Sequence, residues 1–509
     1  MDGEIRPELL ALRERLERTL DDARDEARSK RHAKGYRTAR ENVADLVDVG
    51  SLQEYGQLAV AAQRSRRDYA DLQTSTAADG IITGTCTINA DRVGPQRGRA
   101  AVIVNDYAVL AGTQGFFHHR KLDRICELAL EHALPVVMYT EGGGGRPGDT
   151  DVATQIAGLN ITSFSAWAAL SGKVPRIAVN NGYCFAGNAA LFGCADFCIA
   201  TRNSWIGMAG PAMIEGGGMG VYEPTAIGPI EVQERNGVVD IVATDEAHAT
   251  ALAKQLLSYF QGAVPAWEAL DQEILRDAIP EDRRWGYPVR SIIETIADTG
   301  SFLELQRIYG RSIITGFIRL EGKPVALIAN DCQQLGGAVD AGAAEKAARF
   351  LQICDAFSLP ILSLTDTPGF MVGPDSEAQG AVRRMSSLFL AGAKLCVPVV
   401  TIFLRKAYGL GAMAMAGGSF VAPVYAAAWP TGEVGGMGLE GAVRLGFKKE
   451  LDAQQDPAAR EALFQQLVAR LYEVGRAMEA ASFLELDAVI DPATTRAVVL
   501  RALAAARRL

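Results

Sequence analysis

Between Tyr183 and Ala195 the chain carries no Asp, Glu, Lys, Arg or His, within a stretch, residues 181–211, that reads NGYCFAGNAALFGCADFCIATRNSWIGMAGP. Chemistry there has to come from the main chain. A turn of small residues such as Phe185-Ala186-Gly187, entering a helix, lets a substrate oxygen approach the backbone and accept two N–H bonds, which is the design of an oxyanion hole. A strand–helix turn that only packs tightly fits the same residues. A second copy tips the balance. Residues 399–404, VVTIFL, form a β-branched run that enters Arg405-Lys406-Ala407-Tyr408-Gly409-Leu410-Gly411-Ala412-Met413-Ala414-Met415, again a turn opening into small residues. The two turns lie roughly 225 residues apart, a domain-sized internal repeat.

Other chemistries fit less well. The histidines are His32, His118, His119, His132 and His248, and none lies in either turn, so no Ser-His-Asp or Cys-His nucleophile has its base there; Cys184 reads as core. Gly143-Gly144-Gly145-Arg146-Pro147-Gly148-Asp149-Thr150 resembles a phosphate loop, but Asp149 stands where its lysine belongs. It reads instead as a glycine loop that allows close approach. Gly409-x-Gly411-x-x-Ala414 follows a strand, with Glu433 about 20 residues on, so a nicotinamide-linked oxidoreductase is the rival from another enzyme class. The first turn does not reproduce that glycine spacing. Glu141, Glu215 and Glu377 flank glycine-rich loops and are candidates for acid–base work if two of them converge.

The elements that position these turns repeat too. DLVDVGSL near Gly50 has a counterpart in DTGSFLEL near Gly300. In the first half, GIITGTCTI and the strand AAVIVND (100–106) lead to AGTQG and an amphipathic helix over 121–133, with Leu122, Ile125, Leu128 and Ala129 on one side. The strand PVVMY and EGGGGR follow. In the second half the strand VALIAND (325–331), LGGAVD, a helix over 344–357, PILSL and DTPGF keep the same order. This predicts stacked β–α–β units with right-handed crossovers, hence an α/β class for both halves. Residues up to about 45 read as a helical surface segment with Leu9, Leu12, Leu16 and Leu20 at helical spacing. Residues 454–509 read as helices covering the second domain or a neighbouring subunit.

At 509 residues the chain exceeds what one core holds, so two domains are expected. Its net charge of −9, with no sustained basic cluster, argues against nucleic acid or an anionic membrane as partner. The eight cysteines lie scattered in apolar runs without a C-x-x-C pair, which points to reduced core thiols and no metal site. The charged N-terminus has no apolar signal core, so a cytoplasmic location is expected. Residues 407–432 carry no charge but contain glycines and prolines, and read as buried core rather than a membrane span.

The segments KGYRTARENVADLVDVGSL, ADGIITG, EGGGGR, GYCFAGNAALFGCADF, DTPGF, VPVVTIFLRKAYG and WPTGEVGGMGLEGAV occur in colinear order. With them the chain resembles the carboxyltransferase (β) subunits of biotin-dependent acyl-CoA carboxylases, of the propionyl-CoA carboxylase type, over roughly residues 30 to 490. The resemblance implies two tandem crotonase-like domains: an N-terminal helical segment (1–45), an acyl-CoA-binding domain (46–275) and a biotin-binding domain (276–509). It implies an active site between the first domain of one subunit and the second of another, in a homo-oligomer that is commonly a hexamer.

Carried over by motif, the N–H groups of Ala186 and Gly187 would hold the thioester enolate oxygen, and those of Leu410 and Gly411 the ureido oxygen of biotin. Gly143, Gly144 and Phe185 would line the acyl-CoA, with Lys121 as an aid to CoA binding or a solvated lysine; Tyr408, Gly409 and Met413 would line biotin. The implied mechanism releases the carboxyl group from N-carboxybiotin, lets the biotin anion take the acyl α-proton, and adds the enolate to carbon dioxide, with no metal and no catalytic side chain. The chain departs from the family pattern where Ala186 and Leu410 replace glycines and where Met413 stands at a position that helps choose the acyl group. The acyl group therefore stays open. No biotinylation A-M-K-M sequence or ATP-binding domain is present, so carboxybiotin is expected on a partner: a biotin carboxylase with a biotin carboxyl carrier protein, or a fused α subunit. A biotin-dependent decarboxylase of a carboxyacyl-CoA is the alternative within the same fold.

Overall fold

The computed structural model describes residues 5–152 and 159–506; the first four residues of the expected N-terminal segment and the last three of the expected C-terminal helices lie outside them. The chain divides into two compact units, Met1–Gly262 and Ala263–Leu509. The division falls ahead of the expected 275 because Leu275 and Ile279 belong to the core of the second unit, with Tyr287, Ile292 and Ile293. The N-terminal segment is part of the first unit. Its Arg31 pairs with Glu141 and its Arg40 with Glu54, both side chains of each pair being largely buried.

The first unit holds one seven-stranded sheet in sequence order: β1 (Gln53–Tyr55), β2 (Ile81–Thr87), β3 (Arg99–Asn105), β4 (Val136–Tyr139), β5 (Arg176–Phe185), β6 (Phe197–Gly207) and β7 (Ile241–Ala243). β3 to β7 run parallel, as β–α–β units require. The leading strands β1, β2 and β3 are antiparallel and precede the β–α–β units. β4 is buried along its whole length and β5 nearly so, which is why these strands read as continuous apolar runs rather than alternating ones. The Phe116–Glu131 helix buries Leu122, Ile125, Leu128 and Ala129 against Ile103, Met138 and Trp167. That is the face expected from the spacing, on a helix that starts earlier.

The second unit repeats the plan with β8 (Leu303–Leu305), β9 (Ile313–Leu320), β10 (Lys323–Asn330), β11 (Ile361–Thr367), β12 (Val399–Tyr408), β13 (Tyr425–Ala428), β14 (Glu433–Gly435) and β15 (Ala488–Val489). β8, β9 and β10 are antiparallel and β10, β11 and β12 parallel. β13 and β14 both pair with β12, and β15 with β13. The C-terminal Thr495–Ala505 helix packs Val498 and Val499 into this unit's core. The charge-free run 407–432 is largely built into the same unit. Among the described residues no helix is long and apolar enough to cross a membrane.

Each unit also carries a buried lysine at the same place in its long helix. Lys121 donates through Nζ to the carbonyls of Ala78, at 2.9 Å, and Ile81. Lys346, on the Ala341–Ala356 helix, donates to Gln306 at 3.2 Å and Tyr309 at 2.8 Å. Burial lowers their pKa values to about 8 and about 7. Six cysteines are buried, while Cys194 and Cys396 are exposed rather than in the core.

Candidate active site

The first turn forms where β5 ends. Ala186 sits at φ 52°, ψ −120°, and the Gly187–Gly193 helix begins behind it. The Ala186 N–H donates to the Gly207 carbonyl at 3.0 Å, continuing the β5–β6 pairing one residue past Phe185. This corrects the expected donor pair: Ala186 has no N–H to offer a substrate oxygen. Gly187, as the first helical residue, has no intrahelical acceptor, and its N–H has no partner among the described residues. A Cβ at Gly187 would lie 2.3 Å from Gln114 Oε1 and 3.1 Å from Phe164 Cζ, so any side chain here must displace the Gln114 carboxamide.

The glycine loop lies directly on this turn. Gly142 exchanges backbone bonds with Tyr183 and Phe185, at 2.7 and 2.9 Å. Gly143 donates to Ala111 O at 3.1 Å, and Gly144 donates to Asn188 Oδ1 at 3.0 Å. Their N–H groups are thus committed to the protein, and their contribution is closeness: a Cβ on Gly144, at φ +88°, would come within 2.7 Å of Ala186 Cβ. Asn188 clamps the loop, because its Nδ2 also donates to Thr140 O and Gly112 O at 3.1 and 3.4 Å. Phe185 is buried, stacks on Tyr183 with ring centroids 5.7 Å apart, and walls the turn against Gly207 and Gly210.

Two expected residues stand elsewhere. Lys121 is neither solvated nor turned to a ligand, its ammonium being held by the two carbonyls described above. Glu141 is gripped by Arg31 through both oxygens, at 2.9 and 2.7 Å. Burial pushes its carboxyl up to about 7, with Arg31 opposing. Glu215 and Glu377 are exposed and belong to different units, so they form no acid–base pair within either. Cys184 is buried, and its thiol is pushed up to about 12, which leaves no nucleophile in the turn. Beside Glu141 and Tyr183 opens a groove of about 1080 Å3, with Lys30, Arg31 and Lys34 among its lining residues.

In the second unit, β12 ends at Tyr408 and Gly409 follows at φ +56°. By place and backbone angle Gly409 is the counterpart of Ala186, which makes Leu410 the counterpart of Gly187 and Gly411 that of Asn188. Leu410 and Gly411 lie in the first turn of the Gly409–Met415 helix, where N–H groups have no intrahelical acceptor. Leu410 is 60% exposed, so this turn opens outward; Met413 is half-buried. A Cβ on Gly411 would meet Gly369 C at 2.5 Å, so here a bare backbone contact replaces the Asn188 clamp. Asp366 ties the end of β11 to β12 by accepting from Arg405 Nη2 at 2.9 Å and from the Lys406 N–H at 3.0 Å. Tyr408 is buried with no hydrogen-bond partner for its Oη among the described residues. Glu433 is 1% exposed, with Arg283 Nη1 at 3.6 Å. Buried there, it cannot serve as the ribose acceptor that a nicotinamide site needs.

Comparison with known proteins decides the family. The carboxyl transferase domain family matches residues 30–508. The chain belongs to the carboxyl transferase family. It is a carboxyltransferase subunit of the biotin-dependent acyl-CoA carboxylase type, built from two tandem crotonase-like units. The propionyl-CoA carboxylase beta chain of Saccharopolyspora erythraea is 33% identical over 94% of this chain and 89% of its own. A solved single-chain, multi-domain long-chain acyl-CoA carboxylase is 56% identical with a TM-score of 0.93, covering 98% of this chain; the chain spans 49% of its length. The hexameric transcarboxylase 12S structure with methylmalonyl-CoA bound is 30% identical with a TM-score of 0.81, covering 94% of this chain and 91% of its own. Among the described residues of this carboxyltransferase, no group of three or more His, Cys, Asp or Glu side chains is placed to hold a metal ion.

Proposed function

We propose that this carboxyltransferase moves a carboxyl group from carboxybiotin to the α-carbon of an acyl-CoA, with the first unit holding the thioester and the second the biotin. The observation that carries this reading is the Gly187 N–H, left without an acceptor among the described residues while the N–H groups of Ala186, Gly142, Gly143 and Gly144 are committed to the protein. It would donate to the thioester oxygen as negative charge develops there. Lys34 on the groove's lining suits a phosphate of CoA, while Lys30 beside it is paired with Glu26 at 2.6 Å. With Glu141 locked by Arg31, no carboxylate of the first turn is free to take the α-proton.

For biotin the reading rests on the second turn, where the N–H groups of Leu410 and Gly411 lie in the first helical turn, without intrahelical acceptors, and Leu410 is exposed. Biotin supplies the carboxyl group and, after giving it up, the base for the α-proton. The chain's own residues orient the ureido oxygen at Leu410 and Gly411 and keep Tyr408, Gly409 and Met413 around it.

For the acyl chain we propose a long one. Met208, Met213, Met219 and Val221 stand exposed on the segment that follows Phe185's wall, an adaptable apolar surface. The 56% identical structure is named for long-chain substrates. The subunit would work in the cytoplasm as a homohexamer with a biotin carboxylase and a biotin carrier, separate or fused. The test is to incubate the purified chain with free biotin and carboxyacyl-CoAs of rising chain length, following biotin-dependent decarboxylation by mass spectrometry. Product that rises with chain length is expected. Preference for methylmalonyl-CoA overturns the chain-length assignment, and the absence of biotin-dependent product from every thioester that binds overturns the reaction.

A further inference from the structure

Of the expected main-chain donor pair only the Gly187 N–H remains, because that of Ala186 belongs to Gly207. Oxyanion sites work by aiming more than one donor at the developing charge. Gln114 touches this position: a Cβ on Gly187 would lie 2.3 Å from its Oε1. Gln114 is 4% exposed, and its Nε2 is buried without a hydrogen-bond partner among the described residues. A buried, unpartnered carboxamide N–H in a native fold calls for an acceptor from outside the protein. The Nε2 makes no hydrogen bond among the described residues, so turning the carboxamide to present its NH2 toward Gly187 breaks no bond of that group.

The internal repeat supplies a control. The Gln114 backbone is pinned to the glycine loop, its N–H donating to Gly144 O at 2.7 Å and its carbonyl accepting from Arg146 N–H at 2.9 Å. In the second unit Val339 makes the same bridge, donating to Gly369 O at 3.0 Å and accepting from Met371 N–H at 2.9 Å. The bridge therefore needs no carboxamide. The Gln114 side chain is free for another purpose, and only the first unit has it.

We propose that the Gln114 carboxamide is the second donor to the thioester oxygen held by Gly187, with Phe164 as the apolar wall beside it. The proposal rests on the acyl-CoA reading above, and its test separates the two. Gln114→Met keeps the size and removes the donor; Gln114→Val copies the second unit and guards against misfolding. Each variant and the unaltered chain are titrated calorimetrically with a CoA thioether carrying a nitronate, which mimics the enolate, and with the matching neutral thioether. The nitronate should bind both variants at least about 10-fold more weakly while the neutral ligand changes less than about 2-fold, and biotin-dependent turnover should fall by ~10²-fold at unchanged KM. Equal nitronate affinity in variants and unaltered chain overturns the proposal. So does a proportional loss of both ligands, which marks a structural role, or an unaltered chain that does not prefer the nitronate. Absence of biotin-dependent turnover counts against the reaction alone, because the affinity comparison needs no biotin.

Discussion

At the scale of single residues, the two turns use glycine for different reasons, and substitution separates them. The Cβ of Gly187→Ala would press on the far end of a glutamine and on a phenylalanine edge, groups that can shift. The fold should survive with a small loss of stability, while turnover drops by ~10- to 100-fold because the donor array moves. In Gly411→Ala the new methyl meets the backbone of Gly369 at 2.5 Å, which cannot shift alone. That variant should lose about 1–3 kcal/mol of stability. Thermal melts beside kcat measurements check both, and the expectation fails if the two variants show the same ratio of stability loss to activity loss. The turns themselves were legible, since a strand that ends in a turn and opens into a charge-free helix of small residues, occurring twice, has few readings. The commitment of the Ala186 N–H was not. It depends on a register shift in the β5–β6 pairing between Asn180 and Gly182, after which Phe185 faces Gly207. The side-chain pattern carries no mark of that irregularity.

At the scale of elements, order and buried faces followed from apolar periodicity, because the central strands are covered on both sides and the long helices on one. Lys121 was misread because a lysine among helix polar residues looks solvated. What holds it is the pair of carbonyls at the entry to β2, those of Ala78 and Ile81, some 40 residues away in sequence. The matching Lys346 makes a pH dependence. Its folded pKa, about 7, lies below the unfolded value near ~10.4, so between these pH values the unfolded chain binds more protons and stability rises with pH. Lys346→Met should flatten that rise, while leaving the carbonyls of Gln306 and Tyr309 without their donor at a cost of about 1–3 kcal/mol. Denaturant unfolding at pH 7, 8, 9 and 10 measures this, and parallel slopes in the two proteins would refute it. Arg31 and Glu141 were equally hidden: 110 residues separate them, and each alone resembles an ordinary surface charge.

At the scale of the molecule, length, charge and the repeat gave two α/β units, whereas the position of the division depended on where Leu275 packs. Large apolar side chains remain uncovered on the second unit, with Val382 and Leu390 exposed at 73% and 61% along the Ala381–Gly392 helix. Apolar faces of this kind mark association sites. If copies of the chain assemble through that face, Val382→Glu with Leu390→Glu should lower the particle mass in light scattering. An unchanged mass would assign the contact to another face.

The paired bridges at Gln114 and Val339 have a consequence beyond this reaction. Because main-chain atoms alone make each bridge, the side chain there is not needed to form it. After a gene duplicates and fuses, such a seat is free to diverge, so the two halves can acquire separate chemistries on one inherited backbone. The same freedom makes 114 and 339 the positions at which side chains can be exchanged between the halves by design.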